Sequence, residues 1–137
     1  MSNKIQLSKY HDADVVGLKC SDLEKGLELS FKLVNGLEST IFFPGCQFYR
    51  VDGMWKQNVV YRIRSTLTES INQNEILKNL YSMVRSDNQT PSIPVKQIDF
   101  WMANIISSDL ILSIIEPSTG AEFMIVSRTM KEIISRD

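Results

Sequence analysis

The run Leu27-Glu28-Leu29-Ser30-Phe31-Lys32-Leu33 alternates apolar and polar residues at every step, and Asn35-Gly36 follows it at once. A strand has a side-chain period of two, so Leu27, Leu29, Phe31 and Leu33 share one face and Glu28, Ser30 and Lys32 the other. One face belongs on a core and one in water. Asn-Gly is the strongest short-range hairpin signal, because a type I′ turn needs positive φ at both central residues. The expected return strand is Glu38 to Phe43.

The flanking segments extend this pattern. Asp14 to Lys19 reads as a strand before the hairpin. After it, Pro44-Gly45 marks a bend, since proline cannot donate to a ladder, and strand character resumes from Cys46 to Val51. Asp52-Gly53 is a second turn and Gln57 to Arg64 a further strand, with Val59, Tyr61 and Ile63 opposing Val60, Arg62 and Arg64. Beyond Leu67 the period changes. Asn72 and Glu75 have capping-box spacing, and Ile76, Leu77, Leu80, Tyr81 and Val84 recur at helical intervals, predicting a helix over 73–85. Asp87 to Pro94 reads as its loop. Val95 to Ser108 is ambiguous: Ile98, Phe100 and Met102 alternate, while Ile98, Trp101, Met102 and Ile105 suit a helix. The alternation favours a strand from Lys96 to Met102.

The last third reads as another hairpin. Leu110 to Glu116 is apolar on both faces, as a covered central strand would be. Pro117-Ser118-Thr119-Gly120 forms the turn, Ala121 to Arg128 returns, and Met130 to Ile134 is a final short strand or helical turn. The expected class is therefore α+β: one domain over 1–137, with a mainly antiparallel or mixed sheet and one principal helix packed on one face.

Composition narrows the chemistry. The net charge of −1 and pI near 5.8 lack the basic footprint of a nucleic-acid binder. No apolar run approaches the ~20 residues of a membrane span. Met1 to Ile5 has neither an apolar leader core nor a cleavage site, so the expected location is cytoplasmic. There is one histidine, His11, and there are two cysteines, Cys20 and Cys46. A tetrahedral zinc site commonly needs four such ligands. Both cysteines fall in apparent strands and read as buried small hydrophobes rather than as a disulfide or a Cys-His nucleophile pair. His11-Asp12-Ala13-Asp14 reads as a solvated approach to the first strand. The glycines are scattered singly, with no phosphate loop, dinucleotide fingerprint or nucleophile elbow. Neither a cofactor nor a metal is expected.

The segment Val51 to Asn58 differs. It places Met54 and Trp55 on a connection between strands. Large apolar side chains there either fold back onto the sheet edge or meet a partner, and tryptophan, tyrosine and arginine dominate interface hot spots. Both readings stay open for Trp55, whereas Trp101 lies in an apolar run and reads as core. Tyr49 and Arg50 precede the loop, so Met54, Trp55, Arg50 and Tyr49 form the candidate partner-binding set. Arg50, Arg62 and Arg64 also read as a basic patch balanced by nearby carboxylates.

The meandering strands, Gln57-Asn58 leading into Val59-Val60-Tyr61-Arg62-Ile63, and the hairpin Ile114-Ile115-Glu116-Pro117-Ser118-Thr119-Gly120-Ala121-Glu122 resemble small bacterial toxin-immunity proteins and related uncharacterised α+β domains. The resemblance covers most of the chain as architecture and transfers no functional residue. It implies a non-catalytic protein that binds and blocks a cognate toxin domain. The alternative is a small-molecule-binding or enzymatic domain with Tyr49, Arg50, Tyr61 and Arg62 lining a sheet concavity. A homo-oligomer is compatible with either.

Overall fold

The computed structural model describes residues 5–21, 26–84 and 94–134. A 3-10 turn (Leu7–Tyr10) leads into β1 (Asp14–Ser21), β2 (Gly26–Lys32), β3 (Glu38–Pro44), β4 (Phe48–Asp52) and β5 (Val59–Ser65). Helices α1 (Gln73–Val84) and α2 (Val95–Ile106) follow, then β6 (Ile111–Thr119), β7 (Glu122–Ser127) and β8 (Lys131–Ile134). The eight strands of the described residues lie in one antiparallel sheet of order β4-β7-β6-β5-β1-β2-β3-β8.

That order forces the sheet to curl. β3 and β4 stand six neighbours apart, and so do β7 and β8. In a flat sheet six spacings of ~4.8 Å would separate each pair by about 29 Å. Yet residues 45–47 alone join β3 to β4, and residues 128–130 alone join β7 to β8. Four extended Cα steps reach at most about 14 Å. The two ends of the sheet must therefore wrap towards each other, and Arg128 N–H donates to the Pro44 carbonyl across the junction at 3.1 Å.

Curling creates two cores. The inner face gathers Leu27, Leu29, Phe31, Ile41, Phe43, Val60, Ile63, Ile111, Ile115, Phe123 and Ile125. The outer face of β6 and β7 gives Leu112, Ile114, Met124 and Val126 to a second cluster with Ile76, Leu80 and Met83 of α1 and Ile98, Trp101 and Ile105 of α2. β6 is thus apolar on both faces because both are covered.

Four local expectations are corrected. Residues 95–106 are helix, not a strand over 96–102: Ile98, Trp101 and Ile105 are buried at i, i+3 and i+7, while Phe100, which the alternation placed on one face with Ile98 and Met102, is 53% exposed. The described residues accordingly hold two twelve-residue helices rather than one principal helix. The Asn35-Gly36 hairpin has a three-residue loop. Only Gly36 has positive φ (87°), and Leu33 pairs with Leu37 around Val34-Asn35-Gly36, the type I turn plus left-handed glycine arrangement. In β5 the register shifts around Val60 and Arg62, so the bulged strand buries Val60, Ile63 and Ser65, and Tyr61 points to solvent.

Helix α1 begins where expected, with Asn72 Oδ1 accepting from Asn74 N–H at 2.8 Å. Glu75 does not complete the capping box, because it is drawn to Arg64, which also holds Glu69 at 2.8 Å. The expected helix end at Arg85 and most of the loop from Asp87 to Pro94 lie outside the described residues. No helix among those described is long and apolar enough to cross a membrane.

Candidate functional site: a slot beside β1

β1 pairs with β2 along its whole length but with β5 only at Asp14–Val59. Past that point it outruns the start of β5 and faces the connection from β4 to β5. Val15 N–H still reaches the Asn58 carbonyl at 2.8 Å. Further along, side chains bridge the gap: the Cys20 thiol and the Tyr49 hydroxyl meet at 3.1 Å. Between these two contacts lies a slot of about 440 Å³, lined by Asp14 to Leu18, Met54, Lys56, Gln57, Asn58 and Phe123. Phe123 belongs to the inner core, so the slot opens the curled sheet down to its interior.

Register explains the apolar lining. Leu18 and Cys20 stand opposite Leu29 and Leu27 on the inward face, and Tyr49 stands opposite the inward-facing Ile125. Residues built for an interior are left in solvent here: Leu18 is 39% exposed and Tyr49 37%. Val16, the extra residue at a bulge between Val15 and Gly17, is exposed as well. The expectation that both cysteines are buried holds only in part, because Cys20 is exposed and Cys46 partly buried; neither is in a disulfide. The Cys20 hydrogen bond, with some burial, raises the Tyr49 phenol above its ordinary value. Burial pushes the Cys46 thiol up to about 11. That keeps it protonated at neutral pH, the reverse of an activated nucleophile.

The loop opposite β1 is rigidly held. Asn58, nearly buried, accepts from Trp55 N–H at 3.1 Å and Ala121 N–H at 2.9 Å, and donates to the Trp55 carbonyl at 3.1 Å. The β6–β7 turn presses against it so closely that a Cβ at Gly120 would stand 2.4 Å from Asn58 Oδ1. Gly120 also has φ of 85°, so glycine is required on both counts. Held this way, Met54 is 59% exposed and Trp55 70%. Trp55 does not fold back onto the sheet edge.

The candidate set divides. Met54 lines the slot and Trp55 flanks it on the same loop. Tyr49 is not on the lining; its hydroxyl meets Cys20, two residues past Leu18 on β1. Arg50 points to the other face, where its guanidinium donates to the Ser82 and Met83 carbonyls at the end of α1 and to Asp52 at 2.9 Å. There it neutralises the helix C-terminus. Val16, Leu18 and Cys20 were missed. They read as an ordinary strand, and only the pairing shows that β5 ends beside them. Tyr61 and Arg62 do not join Tyr49 and Arg50 in a concavity. They line a separate 270 Å³ depression with His11, whose Nδ1 lies 2.7 Å from the Tyr61 carbonyl, and Arg62 is ion-paired with Glu116. Trp101 is core as expected, packed on Phe48, although its buried indole N–H finds no acceptor among the described residues.

Among the described residues no group of three or more His, Cys, Asp or Glu side chains is gathered where a metal ion could be held. Comparison with protein-family models, with curated proteins and with solved structures returns no match.

Proposed function

We propose that this chain is a non-catalytic protein-binding module whose contact surface is the 53–58 loop and the adjoining slot. The observation that carries the reading is a pair of large apolar side chains, Met54 and Trp55, exposed on a loop fixed by three hydrogen bonds from Asn58. A pinned loop loses little entropy on docking, and a central tryptophan anchor contributes ~2 kcal/mol or more. The likeness to immunity proteins makes a toxin domain the partner class to try first. The ion-paired arginines and the high thiol pKa of Cys46 fit a binding surface better than an active site.

The test is Trp55→Ala against a protein captured with the wild-type chain, then purified and titrated by calorimetry. The variant should keep its urea midpoint and lose tenfold or more in affinity, about 1.4 kcal/mol. A variant that melts early but binds normally when folded would remove the loop from the interface.

A further inference from the structure

The slot's chemistry says more about the occupant than that it is a protein. β1 is hydrogen-bonded on its β2 side, while from Val16 to Cys20 its other side has no strand partner among the described residues. The Val15 N–H to Asn58 contact shows which flank of the strand faces the slot. A bulge turns two successive residues towards β2, after which alternation returns the peptide groups of Leu18 and Cys20 to the slot flank. Unpaired strand N–H and C=O groups are a template for another extended chain.

The side chains fit the same guest. An added strand presents alternate residues to one face, and the slot offers Val16, Leu18, Met54 and the Phe123 floor to receive them. Lys56 on the lining and Lys19 on the outer face of β1 are exposed and make no ion pair among the described residues, although Glu28 lies opposite Lys19 in the register. Asp14, the lining carboxylate, is engaged by Gln57 at 3.4 Å. Lys56 and Asp14 thus give the lining one charge of each sign, and the guest is selected by its hydrogen-bonding edge and apolar side chains rather than by charge.

We propose that β1 between Val16 and Cys20 is an acceptor edge: an extended, alternately apolar and polar segment of the partner protein pairs with it, displaces the Cys20–Tyr49 contact and completes the sheet at the slot. This rests on the protein-binding reading and names the partner's conformation.

The experiment uses the full chain and a short synthetic peptide that alternates valine with threonine and carries a glutamate at each end. Amide hydrogen exchange is followed at residues 18 and 20 in wild type and Leu18→Thr, and at Cys20 in Leu18→Pro, where residue 18 has no amide hydrogen. The peptide should slow exchange at both amides at least tenfold in wild type. Leu18→Thr, which keeps the N–H but gives up part of the apolar lining, should lose less affinity than Leu18→Pro. Leu18→Pro, which lacks it, should lose tenfold or more. If Leu18→Pro does not fold, the wild-type exchange pattern decides. Unchanged exchange, or peptide protection confined to the Met54–Trp55 loop, overturns the acceptor edge and leaves the protein-binding reading standing. Protection that grows with protein concentration without peptide makes the occupant a second copy and also overturns it. Protection by peptide together with a Trp55→Ala variant of undiminished partner affinity would keep the edge and sink the loop.

Discussion

The curled sheet is closed in two different ways. At the end carrying Asp14, Lys32 and Glu38, Tyr10 is fully buried against Phe31, with ring centroids 4.8 Å apart. Its hydroxyl bonds Ser39 at 2.6 Å and the Glu132 carboxylate, which Lys9 pairs at 2.7 Å. Beside β1 the closure is one contact between exposed side chains, Cys20 and Tyr49. The inward face of β1 and β2 is apolar at both places. Phe31 is buried and Leu18 is not because the 3-10 turn plugs one opening and no described segment plugs the other. Exposure here is set by topology rather than by residue type, which is why the slot stands out as a site.

The largest expected effect tests the closed side. Phe31→Ala should cost about 3–5 kcal/mol, and Leu29→Ala about 2–5, as large-to-small core changes do. Phe31 should be the worse because Tyr10 also loses its ring contact. Urea melts read both. A cost below half a kcal/mol at Phe31 would mean that the inner face is not a packed core.

Next comes the plug itself. Tyr10→Phe keeps the ring and removes the hydroxyl, leaving Ser39 without that bond and Glu132, nearly buried, with Lys9 alone. Stripping a partner from a buried polar group costs about 1–3 kcal/mol. A neutral result in the same melts would make the plug a packing feature with no polar role.

A smaller effect appears on the alkaline side. The Cys46 thiol is raised to about 11 by burial, and the Tyr10 phenol is raised by burial and by Glu132. An unfolded thiol titrates near ~8.5. Between that value and the folded one the unfolded chain loses the proton first, so stability is full below about pH 8.5 and falls as pH rises towards 11. Cys46 is partly exposed, so solvent screening limits its share to about 1 kcal/mol. Thermal melts of Cys46→Ala should show a flatter decline across that window, whatever its starting level. An identical slope would place the alkaline loss on the raised phenols of Tyr10 and Tyr49.

Much of this was legible in the chain. The strand order of burial in β2, the start of α1 and the two-faced β6 follow from local periodicity, because each depends on what a segment buries rather than on which strand it meets. What escaped reading depends on distant partners. Residues 98–105 carry both periods, and the helix wins because α1 and the outer face of β6 and β7 offer it a stripe to bury. Glu75 leaves its capping box because the fold brings Arg64 to it. Tyr61 faces water because a bulge resets β5. For the site, Met54 and Trp55 were visible as misplaced apolar residues, whereas Val16, Leu18 and Cys20 look identical in sequence to any half-buried strand. They become a site only because β5 begins too late to pair with them.

The smallest expected effect tests the open side. Leu18→Thr removes apolar volume from an inward-facing position of a central strand, where the same change at Leu29 would be severe. Yet Leu18 already stands 39% in solvent and lines a slot rather than a packed interior. Threonine brings the β-branched shape that strands favour. The cost should stay within about 0.5 kcal/mol, the range of surface changes away from packed features. The comparison is sharpest if Leu18→Thr and Leu29→Ala are measured side by side, since Leu18 and Leu29 are cross-strand neighbours on one face. A near-neutral Leu18 beside a severe Leu29 puts the boundary between core and slot between those two side chains. A loss above about 1.5 kcal/mol at Leu18 would mean that the slot is filled by the chain itself in solution, and the acceptor edge would then have no room for a guest.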